Sequence, residues 1–398
     1  MRTEGDLINI NKKLLPLSWL YGMGVGFRNM LFEMGILKSR SYDIPVISVG
    51  NITVGGTGKT PHVEYLVSLL KDHTNVAVLS RGYKRRSRGF VLADKDSTMY
   101  DIGDEPYQMK QKFPDITLAV DKNRRRGIEK LVNGIAGKDI DVVLLDDAFQ
   151  HRYVKPGINI LLVDYHRLVI YDTLLPAGRL REPVKSKDRA DIVIVTKCPK
   201  DLKPMEFRVI TKAMSLYPYQ QLFFSTHEYD IPRPVFADAP AWPDSEDSPL
   251  ASLANKNILL LTGIALPKQM EHDLSHLTSN IFSMAFSDHH VFLRKDIERI
   301  NEKFNSLPSP KIIITTEKDA TRLEGVEGLS DEIRQHLYVL PIHISLLLDQ
   351  AEAFKNKIYS YVRKNSRNSI LAKRKDEHKS QDSNNIGDRP RTISFRNN

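Results

Sequence analysis

Cysteine is almost absent: Cys198 is the only one in 398 residues. A lone thiol makes neither an intramolecular disulfide nor a thiolate zinc cluster, and its scarcity fits a reducing compartment. Internal repeats at solenoid periods are also missing, which excludes stacked-repeat architectures. The most apolar stretch near the N-terminus, Leu14–Phe27, runs for 14 residues and contains Pro16 and three glycines. A spanning helix needs about 20 residues. No small-residue cleavage site follows it, so it does not read as a signal peptide. The aromatic–basic interleaving of known RNA modules is lacking too.

What remains is an ordinary core-forming composition, 41% hydrophobic and 27% charged. The length suggests two domains with tails. Lys+Arg number 58 against 49 Asp+Glu, a formal charge of +9. That balance admits nucleic acid, anionic lipid or phosphorylated ligands as partners. Within the N-terminal stretch Leu20, Met23, Phe27, Met30, Leu31 and Met34 recur at helical spacing. Two readings follow: a helix packed on the protein's own core, or an interfacial helix with Trp19 and flanking Lys and Arg at headgroup level.

From about Ser41 short apolar runs alternate with helical stretches. PVISV (45–49), VAVL (76–79), DITLAV (115–120), DVVLL (141–145), INILLV (158–163) and DIVIVT (191–196) read as buried strands. Runs apolar on both faces predict a parallel sheet with helices on both faces. A domain is thus expected over 41–220 and a second α/β domain, with linker strands, over 221–345. Within the latter, Ile231–Pro249 is proline-rich, NILLLT (257–262) and KIIITT (311–316) read as strands, and Leu337–Ile344 as one more. A closing helix is expected over 346–365, and a disordered basic tail over 366–398.

Strand PVISV leads into GNITVGGTGKTP (50–61) and then a helical run. Strand, Gly-rich loop and helix are the parts of a phosphate-binding loop. Thr53, Val54, Gly55, Gly56, Thr57 and Gly58 would turn backbone N–H groups toward an anion. Lys59 would reach the β- and γ-phosphates, and the Thr60 hydroxyl would ligate Mg²⁺. Thr53 stands where the usual pattern has glycine. The apolar strand in DVVLLDDAFQH (141–151) ends in Asp146 and Asp147, where ligands gather in open α/β sheets. These two carboxylates suit magnesium and catalysis; a helix-capping Asp is the alternative for one of them.

Three polar clusters follow other strands. SRGYKRRSRGF (80–90) holds five basic residues in eleven; IGDEPYQ (102–108) sets Asp104 beside Glu105; LLPAGRLREP (174–183) carries Arg179, Arg181 and Glu182. In FSDHHVF (286–292), Asp288, His289 and His290 lie between phenylalanines, and a structural histidine is the simpler reading. TEKDATR (316–322) reads as a helix start capped by Thr316. TKCP (196–199) partly matches the NKxD base-recognition loop of GTPases, with Thr196 and Pro199 in place of its Asn and Asp. A GTPase or ATPase switch and a nucleic-acid-binding protein are therefore the rival classes.

Taken in order, SVGNITVGGTGKTP, LSRGYKRR, GDEP, DDAFQHR, LLPAGRLREP, TGIALP, FSDHHVF and TEKDATR resemble the signatures of the tetraacyldisaccharide 4′-kinase family, across residues 14–345. Ala148 departs from the DDGFQH form of that family. The resemblance implies two α/β/α domains joined by a β-stranded linker. It implies transfer of the ATP γ-phosphate to the 4′-hydroxyl of an acylated glucosamine disaccharide 1-phosphate, giving lipid IVA, with ATP and Mg²⁺ as cofactors. It also implies Asp104 as general base with His289 its partner, and Lys59 and Asp147 in catalysis. Thr60, Asp146, Asp147 and Glu182 would surround magnesium, and Arg81, Arg124, Arg125 and Arg181 would meet the lipid phosphate. The family further favours the interfacial reading of residues 1–40, with peripheral attachment to the cytoplasmic face of the inner membrane and no nucleic-acid partner.

Overall fold

The computed structural model describes residues 8, 10–243, 250–263, 267–287 and 290–365. The basic tail from 366, and the pair Asp288 and His289, lie outside the described residues. So do the expectations attached to them.

Helix α1 (Leu15–Glu33) comes first, and it is inside out. Its buried residues are Ser18, Asn29 and Phe32, while Leu20, Met23, Phe27, Met30 and Met34 are exposed and Trp19 is 68% exposed. Polar contacts hold it to the body: Ala177 N–H donates to Ser18 Oγ at 2.8 Å, and the Tyr21 hydroxyl to the Arg181 carbonyl at 2.9 Å. Arg152 donates to the carbonyl and side chain of Asn29. The periodic apolar stripe faces outward, so the reading of a helix packed on its own core fails. Among the described residues no helix is long and apolar enough to cross a membrane.

The first sheet is built from β1 (Val46–Gly50), β2 (Val76–Ser80), β3 (Val91–Leu92), β4 (Thr117–Val120), β5 (Val142–Asp146), β6 (Ile158–Asp164), β7 (Ile192–Thr196) and β8 (Gln221–Tyr229). Its order is β8-β7-β6-β1-β5-β2-β4-β3, parallel from β8 to β4 with β3 antiparallel at the edge. The continuous apolar runs follow from covering on both faces. Ile47, Val78, Leu144, Ile160 and Ile194 pack in one core with Leu66 and Val67 of α2 (Lys59–Leu70). Their neighbours Ala77, Leu79, Val143 and Leu145 pack on the opposite face, with Ile128 and Leu131. Between the early strands lie α3 (Met99–Ile102), α4 (Asp104–Lys112) and α5 (Arg124–Val132), and α6 (Pro204–Met214) precedes β8.

The second sheet comprises β9 (Arg233–Pro234), β10 (Asn257–Thr262), β11 (Ile281–Ala285), β12 (Lys311–Thr315) and β13 (Leu337–Val339), in the order β11-β10-β12-β13-β9. Its helices are α7 (Pro267–Ser275), α8 (Arg294–Asn305), α9 (Glu317–Leu323) and α10 (Asp331–His336). The single strand expected over Leu337–Ile344 is two. β13 stays in the second sheet, and β14 (Ile342–Leu346) pairs antiparallel with β8 in the first. The break falls at Leu340–Pro341, where proline has no N–H for a ladder. β8 and β14, expected as linkers of the second region, thus hydrogen-bond into the first sheet. The chain crosses between sheets beside itself, with Asp230 N–H on the Pro341 carbonyl at 3.0 Å. The last helix, α11 (Ala351–Asn365), starts five residues later than expected and buries Phe354, Ile358 and Val362 in the first core.

Candidate active site

Residues 51–58 link β1 to α2. Gly55 (φ 121°) and Gly58 (φ 78°) take left-handed conformations that a side chain disfavours. Gly58 caps α2 with no side-chain hydrogen bond, which leaves the first N–H groups of the helix facing outward as an anion site. Val54, Gly55 and Gly56 are exposed at the crown, while Thr57 is buried and accepts from Asn51 Nδ2 at 2.7 Å. The LLPAGRLREP segment buttresses the approach. Thr53 bridges Leu180, Val54 N–H donates to the Arg179 carbonyl at 2.8 Å, and Arg181 N–H to that of Ile52 at 2.7 Å. From the TKCP turn, Thr196 Oγ1 donates to the Thr57 carbonyl at 3.1 Å and Lys197 Nζ to that of Gly56.

At the end of neighbouring β5 the two carboxylates titrate apart. Asp146 is buried and accepts from Ser80 Oγ at 2.9 Å. Burial, then the charges of Glu105 and Asp147, push it up to about 6. Burial would also raise Asp147, but Lys59 and Arg181 outweigh it and hold this carboxyl below its ordinary range. Lys59 Nζ lies 3.7 Å from Asp147 Oδ1, and Arg181 3.4 Å from Oδ2. The backbone strain of the turn sits at Asp147 (φ 45°). Ala148 needs no left-handed conformation and packs in the core beneath, so the absence of glycine there is harmless.

Glu182 is buried with Oε2 2.6 Å from Arg189, whose guanidinium stands 4.8 Å over the Phe149 ring. Buried Oε1 of Glu182 and Oδ1 of Asp147 have no hydrogen-bond partner. Among the described residues no group of three or more His, Cys, Asp or Glu could enclose a metal. Magnesium rarely wants such a cage: one or two carboxylates, waters and substrate phosphates complete its octahedron. Asp146, Asp147 and Glu182 thus do not gather as one ligand set; the Thr60 hydroxyl with one or two of these carboxylates would suit that ion when shared with a nucleotide.

The basic residues separate. Arg81 and Arg125 are exposed, and Arg125 stacks 5.4 Å from the Tyr153 ring centre. Arg124, expected beside the lipid phosphate, is instead 3% exposed. It donates to the carbonyls of Asp121 at 2.7 Å and Asp146 at 2.8 Å, bracing the end of β5 from behind. His290 has a structural role: it bonds Asp296 at 2.9 Å and stacks on Phe286.

Sequence reasoning missed three groups. His62 bonds the Gly58 carbonyl at 2.7 Å and Ser225 Oγ at 2.9 Å, and burial drives it down to about 4. His227 lies close by and is driven down to about 3, by burial first and then by the charges of His62 and Lys197. Arg322 reaches from α9 to Asp104 Oδ2 at 2.5 Å. TEKDATR does cap its helix, as read, with Thr316 accepting from Asp319 N–H at 3.2 Å; its final arginine carries a cross-domain contact.

A phosphate cradle at the helix start, facing split carboxylates at the next strand end, defines a P-loop phosphotransferase. Comparison with known proteins makes this specific. The tetraacyldisaccharide-1-P 4′-kinase family profile matches residues 10–363. The tetraacyldisaccharide 4′-kinase of Phocaeicola vulgatus is 58% identical over 367 residues, 92% of this chain and 99% of that protein. That of Bacteroides thetaiotaomicron is 56% identical over 95% of this chain and 100% of its own length. LpxK from Aquifex aeolicus, solved in complex with ATP, superposes with a TM-score of 0.67 at 30% identity, covering 88% of this chain and 99% of that one. The chain belongs to the tetraacyldisaccharide-1-P 4′-kinase family and is a kinase of lipid A biosynthesis.

Proposed function

We propose that the chain transfers the γ-phosphate of ATP to the 4′-hydroxyl of a tetraacyldisaccharide 1-phosphate, forming lipid IVA, with Asp104 accepting the hydroxyl proton and His289 its partner. Sugar hydroxyls ionise far above neutrality, so a placed carboxylate must take the proton as transfer proceeds. The observation that carries the assignment is the packing of α4, which begins at Asp104, against α2, the helix that the phosphate loop opens: Gln108 and Lys112 both bond Glu64, at 3.1 and 2.8 Å. Glu105, beside Asp104, is the charge that most raises Asp146. Lys59, the Arg181 guanidinium and the open N–H groups of α2 supply positive potential where phosphoryl charge develops. Magnesium, when bound, neutralises phosphate charge and orients the transferred group. Arg81, Arg125 and Arg181 are the arginines proposed for the 1-phosphate of the lipid.

The inside-out α1, with Trp19 exposed and Lys12 and Lys13 before it, suits a peripheral seat on a membrane where the acyl chains lie. The cytoplasmic face of the inner membrane is the proposed location, and nucleic acid is not a proposed partner. Purified protein with Mg·ATP and acylated disaccharide 1-phosphate should yield a product heavier by one phosphoryl group in mass spectrometry. Asp104→Asn and His289→Ala should each remove most turnover, and the double variant little more than the worse single, as for residues acting as a unit. ATP hydrolysis without lipid phosphorylation, or additive losses in the pair, would count against this reading.

A further inference from the structure

The two domains meet through α4 and α9, which lie antiparallel and are tied at both ends. Asp104, the first residue of α4, bonds Arg322 near the end of α9. Lys112, the last residue of α4, lies 2.8 Å from Glu64 of α2 and 3.0 Å from Glu317 at the start of α9. Arg233 adds a contact to Glu317 at 3.2 Å.

The two ties differ in kind. Lys112 joins carboxylates that no reading places in the chemistry. Arg322 is buried, its side chain 6% exposed, and its fork is divided. Nη1 is held by fully buried Asp319 at 3.0 Å, and Nη2 meets Asp104 at 2.5 Å. Asp319 is itself fixed by Gly263 N–H at 2.7 Å and Thr316 Oγ1 at 2.8 Å. A guanidinium is a rigid planar fork, so an arginine anchored on one side sets the position of the carboxylate on the other.

We infer that Arg322 is a positioning residue for phosphoryl transfer: anchored on Asp319 in the second domain, it fixes the Asp104 carboxylate in the first. The inference rests on the reading of Asp104 as the proton acceptor. It gives TGIALP and TEKDATR one task, since Gly263, Thr316 and Asp319 form the mount on which Arg322 is set. Placement of the acceptor then depends on domain docking, and a misplacement of an ångström in such a group is costly in rate.

The test compares variants in steady-state kinetics, with thermal unfolding to confirm folding. Removing Arg322 alone would strand the buried charge of Asp319, so the main variant is Arg322→Met with Asp319→Asn. It should lose about 100-fold in kcat, the scale of general-base catalysis, while KM for ATP stays within about twofold. Arg322→Lys keeps the charge but not the fork, and should recover about tenfold of that loss. Glu317→Gln removes the other tie between the helices and should stay within about threefold of wild type. A folded main variant with kcat within about threefold of wild type overturns the inference, as does an equal loss in Glu317→Gln, which would mean docking alone. If the main variant does not fold, Arg322→Lys decides by the same threefold criterion. Asp104→Asn separates the two readings: if it stays active, the proton-acceptor assignment fails. If it is inactive while the Arg322 variants turn over normally, only the positioning role fails.

Discussion

Lys197 donates its ammonium to the carbonyl of Gly56, at the exposed crown of the phosphate loop, while resting 2.7 Å from Asp164. Its backbone is left-handed (φ 58°), an uncommon state for a residue with a long side chain. The turn after β7 thus ties down the loop expected to receive phosphate. Lys197→Met should weaken ATP binding about tenfold, by loss of preorganisation, with a much smaller change in kcat. Titration calorimetry with Mg·ATP checks this, and unchanged affinity would show that the loop keeps its shape unaided. Pairing the change with Asp164→Asn avoids leaving a stranded carboxylate.

Lys59→Ala should abolish detectable turnover while the protein unfolds at a nearly unchanged temperature. Lys59 Nζ lies 3.7 Å from Asp147, and its expected task is phosphate binding rather than support of the core. A folded variant with near wild-type turnover would remove the phosphate-loop assignment.

Helix α1 is expected to seat the enzyme on lipid without taking part in the chemistry. Trp19→Glu together with Phe27→Glu places charges on the exposed stripe and spares the polar contacts of Ser18, Tyr21 and Asn29. Binding to anionic liposomes should fall at least about tenfold, and KM for lipid should rise while that for ATP holds. Unchanged liposome flotation of the folded variant would argue against a membrane seat.

Acid should weaken the fold through the histidines beneath the phosphate loop. His62 and His227 are pushed from 6.5 down to about 4 and about 3. The folded state keeps them neutral, and the unfolded state takes their protons first. Their contribution is full above pH 6.5 and is lost as the pH falls toward 4, with a slope approaching about 1.4 kcal/mol per pH unit for each. Asp146, raised by burial, runs the other way between 3.8 and about 6. The stability difference between wild type and His227→Gln, followed by urea unfolding from pH 7 to 4, therefore isolates the histidine. A difference flat in pH would mean that His227 takes up its proton at the same pH in the folded and unfolded states.

The strands, the Gly-rich loop and the paired carboxylates at the end of β5 were legible from the chain alone because each is a local pattern. A run apolar at every position, such as VVLL before Asp146, has nowhere to lie but between two covered faces. The resemblance to the kinase family rested on the same short segments, and the comparisons bear out that family and its activity.

Periodicity has no sign, however. The spacing of Leu20, Met23, Phe27 and Met30 marks a stripe on α1, but only the body it rests on decides whether the stripe faces in or out. That body offers polar partners, and the stripe faces out. Charge has no address either. Arg124 sits in a basic cluster like its neighbour Arg125, yet the end of β5 closes over it. Arg322 and Asp104 stand 218 positions apart. Nothing local marks them as partners, because their contact depends on how two separately cored domains dock. The sequence alone determined the parts that one segment can form with its immediate neighbours. Tertiary structure alone decided the contacts whose energy exists only after distant segments are packed together.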